Sequence, residues 1–196
     1  MNVIRAFIAI SLSDEVHRGL EQVLRDLKSR LPGSAVRWVP GKNIHLTIKF
    51  LGDVSLASLE MLTNMLQTEA ARHPPFEFSV GGLGAFPTPH RPRVIWVGVE
   101  APAELASLQR GVETEMARLG YPPEERPFSP HLTLGRVTRN APSGEMHQLS
   151  NVLEAYKVGF LGVTRVQAIH LFRSDLQTSG AIYTRLHSAS LSTSDA

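Results

Sequence analysis

The stretch His45-Leu46-Thr47-Ile48-Lys49-Phe50-Leu51-Gly52 holds the most regular alternation in the chain, with Ile44, Leu46, Ile48 and Phe50 separated by His45, Thr47 and Lys49. Successive side chains of a strand point to opposite faces, so this spacing predicts a strand with its apolar set on the core and His45, Thr47 and Lys49 on the other face. The pattern returns 86 residues on as His131-Leu132-Thr133-Leu134, again behind a proline-containing loop and ahead of a helical segment. One such copy is as well explained by a half-buried histidine satisfied by a backbone carbonyl beside a β-prone threonine. Two copies in matching contexts point to a duplicated unit whose pseudo-two-fold arrangement brings both polar faces to one groove.

The flanking sequence supports that plan. Ile4 to Ile10 is a short apolar run that predicts a buried strand, and Ser13 with Asp14 and Glu15 predicts a helix start. Val16, Leu20, Val23, Leu24, Leu27 and Leu31 then fall at helical spacing until Pro32-Gly33 stops the run, and Val36 to Val39 is a brief strand before Pro40. Beyond the first motif come a helix over 55–72, alternating Phe76, Phe78 and Val80, a Gly/Pro-rich loop over 81–93, and a strand over 94–99. The second half repeats the order: a helix over 102–119, a loop with four prolines over 121–130, the second motif, and a weaker helix over 143–156. Closing strands are predicted near 157–163, 166–172 and 181–187, and the Ser-rich residues 188–196 read as a flexible tail. No Gly-rich nucleotide fingerprint follows the first strand and no linker separates the halves. The fold class is therefore α+β, one domain over 1–187 with two lobes sharing a cleft.

Composition narrows the chemistry. With 196 residues and 42% hydrophobic content the chain can bury a real core, and the absence of cysteine removes disulfides, thiolate nucleophiles and cysteine-bound metals. Twenty basic residues against 18 acidic give a net charge of +2, which permits a local basic groove but no general electrostatic grip on nucleic acid. No apolar run approaches a membrane span, and the first residues lack the pattern of a secretory signal, so the expectation is a soluble, cytoplasmic protein acting as a monomer.

Histidine and threonine are left to supply the reactivity. A pair of imidazoles near their ordinary pKa of about 6.5 suits one general base and one general acid, and two hydroxyls suit the non-bridging oxygens of a phosphodiester between them. The remaining histidines, His17, His73, His90, His147, His170 and His187, show no metal-ligand spacing. Gly81-Gly82-Leu83-Gly84 lacks the lysine of a phosphate-binding loop and reads as a turn needing positive φ, while Trp38, Trp96 and Phe50 read as core.

His-Leu-Thr-Ile-Lys-Phe-Leu-Gly at 45–52 and Pro-His-Leu-Thr-Leu-Gly-Arg at 130–136 resemble the two signature motifs of the two-histidine phosphoesterase superfamily. The nearest branch is the RNA 2′,3′-cyclic phosphodiesterase group, historically called 2′-5′ RNA ligase. The likeness extends through Arg5-Ala6-Phe7-Ile8-Ala9-Ile10, Val36-Arg37-Trp38-Val39-Pro40, Phe86-Pro87, Pro92-Arg93-Val94-Ile95-Trp96 and Arg126-Pro127-Phe128. It implies two pseudo-symmetric lobes of antiparallel sheet with outer helices around a central cleft. It also implies chemistry on RNA ends with no metal, ATP or other cofactor: opening of a 2′,3′-cyclic phosphate to a 2′-phosphomonoester, with reversible 2′-5′ joining to a 5′-hydroxyl. By the same resemblance His45 and His131 are the catalytic pair and Thr47 and Thr133 hold phosphate, with Arg136 as a further phosphate contact; His45 is assigned here as the proton donor and His131 as the proton acceptor, roles that the pseudo-symmetry leaves interchangeable on sequence grounds. Strict alternation places Arg136 opposite Thr133, so it reaches the cleft only through a twist or bulge near Gly135, whereas Lys49 has the parity of a cleft residue. The rival readings are a relative acting on another small cyclic phosphodiester, such as ADP-ribose 1″,2″-cyclic phosphate or a cyclic dinucleotide, and a non-catalytic RNA-binding module.

Overall fold

The periodicities fold as they predict at the level of element order. The computed structural model describes residues 3–31, 33–177 and 180–192, so Pro32 and the end of the Ser-rich segment lie outside the described residues. The order is β1 (Val3–Ile10), α1 (Asp14–Arg30), β2 (Val36–Trp38), β3 (Leu46–Ser55), α2 (Leu59–Ala70), β4 (Phe76–Phe86) and β5 (Val94–Glu100). It continues with α3 (Ala103–Arg118), β6 (His131–Val137), α4 (Ser143–Ala155), β7 (Phe160–Val166), β8 (Ala168–Gln177) and β9 (Gly180–Ser190). Among the described residues no helix is long and apolar enough to cross a membrane.

Helix α1 starts where its sequence dictates. The Ser13 hydroxyl oxygen accepts the Val16 N–H at 3.3 Å and its O–H donates to the Val163 carbonyl at 2.9 Å, so one residue caps the helix and ties it to β7. Asp14 and Glu15 in the first turn and Lys28 and Arg30 in the last complement the helix dipole, and Val16, Leu20, Val23, Leu24 and Leu27 are buried.

Two antiparallel sheets form, one in the order β3-β1-β8-β9 and one in the order β2-β6-β5-β4-β7. With β2 and β7 set aside, β1, α1, β3, α2 and β4 correspond in order to β5, α3, β6, α4 and β8. The first half gives β1 and β3 to the four-stranded sheet and β2 and β4 to the five-stranded one, while the second half gives β5, β6 and β7 to the five-stranded sheet and β8 and β9 to the four-stranded one, so the lobes are not the two halves of the sequence. Helix α1 packs on β7 of the five-stranded sheet, while α2 and α3 pack on the four-stranded one.

Both motif strands depart from strict alternation at the same place. Ala9 pairs with Thr47 and Ile8 with Lys49, which leaves Ile48 as an extra residue in β3; Trp96 pairs with Thr133 and Ile95 with Gly135, which leaves Leu134 as an extra residue in β6. A bulge reverses the facing of the residues beyond it. Lys49, expected on the cleft face, is therefore 2% exposed in the core, and Phe50, expected in the core, is 57% exposed. Gly135 is required here, because a Cβ at this position would lie 2.7 Å from Val36 Cγ1 and 3.0 Å from Trp38 Cε3.

Two boundaries also move. β4 runs on to Phe86 instead of yielding to a loop at Gly81, with Gly82 at a φ of +75° forming a further bulge against β5. The segment expected to be a tail from Ser188 continues β9: Ser188, Ala189 and Ser190 pair with His170, Ile169 and Ala168, Ala189 is fully buried, and the Leu191 N–H donates to the Gln167 carbonyl.

The inverted Lys49 is accommodated by an ion pair. Its ammonium donates to Glu113 Oε1 on α3 at 2.7 Å and to the Pro122 carbonyl at 2.9 Å, and Glu113 also accepts the Glu124 N–H at 2.7 Å. Removing one partner of such a pair leaves a charge without compensation, so Lys49→Met should lower unfolding free energy by about 3 kcal/mol or more. Adding Glu113→Leu should restore most of it, as read from urea midpoints; an unchanged midpoint in Lys49→Met would show that the pair contributes nothing.

Candidate active site

His45 stands one residue before β3 and His131 opens β6. Each ring is oriented by the backbone two residues upstream: His45 Nδ1 lies 2.8 Å from the Asn43 carbonyl oxygen and His131 Nδ1 lies 2.7 Å from that of Ser129. A carbonyl only accepts, so Nδ1 carries the proton in both rings and Nε2 is left to take or give one. The carbonyl partner that a purely structural histidine would have is present, and it is what frees the other nitrogen.

The surroundings of the two rings differ. His45 stacks on Phe7 at a centroid distance of 4.7 Å and meets the edge of Tyr183 at 5.3 Å. Burial there holds its pKa below the ordinary histidine value, with the Asn43 hydrogen bond working in the opposite direction. His131 meets Phe86 edge-on at 5.0 Å, with Trp96 at 6.4 Å, and its carbonyl hydrogen bond is open to solvent.

His45, Thr47, Thr133 and Arg136 line one cavity of about 420 Å³, together with Arg5, Phe50 and Tyr183. His131 is outside that lining but on the same face of β6 as Thr133, since Leu132 between them pairs regularly with Val97. The bulge at Leu134 is the device that turns Arg136 to this face. Its guanidinium acts on Tyr183 of the other sheet, where it partly offsets the upward push that burial gives the phenol. The lining carries two guanidiniums and no carboxylate, and among the described residues neither Arg5 nor Arg136 forms a salt bridge. Two guanidiniums without a carboxylate make this cavity locally basic.

Of the residues singled out in the sequence, His45, Thr47, Thr133 and Arg136 line this cavity and His131 does not, while Arg5, Phe50 and Tyr183, which also line it, are not singled out there as site residues. Arg5 shares a strand face with Phe7 and Ala9, an alternation present in the sequence. Phe50 and Tyr183 left no such signal, because a bulge faces one outward and a distant strand pairing delivers the other. Lys49 is withdrawn from the cleft. Among the described residues no group of three or more His, Cys, Asp or Glu side chains is placed to hold a metal ion.

The chain matches the family model of LigT-like phosphoesterases twice, over residues 10–96 and 97–183. It is 36% identical over 181 residues to the RNA 2′,3′-cyclic phosphodiesterase of Methanothermobacter thermautotrophicus, covering 92% of this chain and 95% of the relative. The crystal structure of a Thermus thermophilus protein superposes with a TM-score of 0.79 at 28% identity, covering 96% of this chain and 98% of that one. The structure of Escherichia coli LigT complexed with 3′-AMP superposes with a TM-score of 0.75 at 28% identity, covering 97% and 99%.

The environment of His45 has a measurable consequence. The folded protein binds this proton less readily than the unfolded chain, so the stability contributed by the neutral ring is present above about pH 6.5 and is lost as pH falls towards the lower folded value. In an NMR titration of the free protein the His45 ring should titrate below an unperturbed histidine. A midpoint at or above the ordinary value would contradict the burial described here.

Proposed function

The chain belongs to the LigT-like phosphoesterase family and is a hydrolase of the RNA 2′,3′-cyclic phosphodiesterase class, and on that premise we propose how its own residues carry the reaction. The terminal 2′,3′-cyclic phosphate of an RNA lies between the two motif strands. Thr47 and Thr133 donate hydroxyl hydrogen bonds to its non-bridging oxygens, and Arg136 offsets their charge. His131 Nε2 takes a proton from water as the water oxygen bonds to phosphorus. The P–O3′ bond breaks on the opposite side, and His45 Nε2–H protonates O3′. The products are a 2′-phosphomonoester and a free 3′-hydroxyl, and the two histidines exchange protons with solvent to return to their starting states. No step draws on a metal ion. With the 5′-hydroxyl of a second RNA in place of water the same proton movements form a 2′-5′ linkage, reversibly.

The observation that carries this reading is the repeated His-x-Thr. Two rings have Nδ1 held by a carbonyl two residues back and each has a threonine two residues on, and both threonines line a carboxylate-free cavity with Arg136. Support for His45 as the acid comes from its environment. A buried imidazole is a strong donor once protonated, and an anion brought against Nε2 favours the protonated form. His131, half-buried with its carbonyl hydrogen bond at an exposed position, takes the role of base.

An oligonucleotide ending in a 2′,3′-cyclic phosphate should be converted to the 2′-phosphate in the presence of EDTA. The rate should follow a bell-shaped pH profile with both limbs in the histidine range. His45→Ala and His131→Ala should each lower kcat by about 10²–10⁴ while oligonucleotide binding is largely kept. A 3′-phosphate product would mean that the other P–O bond breaks, and inhibition by EDTA would sink the metal-independent mechanism.

A further inference from the structure

His45 does not end the cleft. On its far side lies a second cavity of about 500 Å³, which shares His45, Asn43 and Tyr183 with the first. Phe172, Ile182 and Tyr183 contribute apolar and aromatic surface to it, and Ser11, His17 and Lys42 contribute polar and basic groups. No carboxylate lines it, and among the described residues neither Lys42 nor His17 forms a salt bridge. Asn43 joins the two spaces: its carbonyl orients the His45 ring, and its side-chain amide donates to the Ala181 carbonyl at 2.7 Å, fixing the turn at Gly41–Asn43 to the start of β9.

We infer that this second cavity is the subsite for the nucleotide on the 5′ side of the cyclic phosphate. The inference rests on the proposed catalytic reading, in which O3′ departs towards His45. The ribose bearing O3′ then lies on the His45 side of phosphorus, and the RNA continues from the 5′ carbon of that ribose, away from His131. Along that path a nucleotide needs a cation for its phosphate and a flat apolar wall for its base. Lys42 and His17 meet the first need, and Phe172 and Tyr183 the second. The volume suits a ligand of nucleotide size. The space on the opposite lobe differs in kind: a cavity of about 530 Å³ beside Phe160 is lined by Glu100 and glycine backbone and holds no cation. The charge pattern therefore directs the RNA body over the four-stranded sheet, and it makes the enzyme selective for polymer ends over mononucleotides.

Two substrates separate this subsite from the catalytic centre: a nucleoside 2′,3′-cyclic monophosphate without a 5′ phosphate, and a dinucleotide ending in a 2′,3′-cyclic phosphate. The double variant Lys42→Ala/His17→Ala should lower the ratio of kcat/KM for the dinucleotide to that for the mononucleoside by about tenfold, the loss of one or two charge-assisted phosphate contacts. Rising salt should depress dinucleotide turnover more in the wild type than in the variant, and an unchanged thermal midpoint would show that the fold is intact. An unaltered ratio in a folded variant would overturn the subsite while leaving the catalytic reading in place. Failure of the wild type to hydrolyse either substrate would overturn the catalytic reading instead.

Discussion

Each motif strand carries an extra residue directly after the motif threonine, relative to the strand beside it, and the site of that insertion decides what the cleft contains. Under strict alternation β3 would turn Lys49 to the cleft and β6 would press Arg136 into the core. A guanidinium cannot be left there without a partner, because desolvating an unpaired charge costs more than packing returns. The insertions at Ile48 and Leu134 invert both outcomes. Lys49 goes inward to Glu113, and Arg136 goes outward beside Thr133. Three residues after each threonine the duplicated cleft thus holds Phe50 on one side and Arg136 on the other, so a symmetric scaffold presents an apolar wall and a charged one.

What the sequence reveals of this is its local part. The α1 cap, the helical spacing of its leucines and the two His-x-Thr segments are set by neighbours within a turn or a strand, and they are read correctly from their own residues. The insertions are not local. Nothing within 45–52 distinguishes a regular strand from a bulged one, since the extra residue exists only relative to β1; Gly135 hints at one in β6 but equally fits a turn. The end of the chain escaped for the same reason. Ser188, Ala189 and Ser190 have the composition of a loose tail, and only pairing with Ala168, Ile169 and His170 makes them a strand. Tyr183 likewise reaches the site through the pairing of β9 with β8, which no spacing near the motifs encodes.

The exchange of β4 and β8 between the sheets matters for the chemistry because it couples the lobes. Neither sheet can form whole from one half of the sequence: separating the halves would strip β8 and β9 from the four-stranded sheet and β2 and β4 from the five-stranded one. A reaction that needs one proton removed and another delivered on opposite sides of phosphorus depends on two groups held at a fixed separation, and misplacement by about 1 Å is costly. Interleaving the halves anchors the strands bearing His45 and His131 in sheets that both halves build, so their relative placement is a property of the whole fold.

Duplication makes the two histidines equivalent in connectivity, and packing then makes them different. His45 lies among Phe7, Phe172 and Tyr183, where burial disfavours its charge; His131 has its hydrogen bond at an exposed position and meets Phe86 edge-on, with Trp96 farther off. An anion seated beside Thr47 and Arg136 acts unequally on such a pair. In the less polar surroundings of His45 its field is less screened, so it favours a proton on that ring. Substrate binding would then itself favour the protonated form of the His45 ring. On this argument the aromatic cluster around His45 belongs to the proton inventory of the reaction as much as to the core, because it makes the state of that ring depend on whether the cleft is occupied.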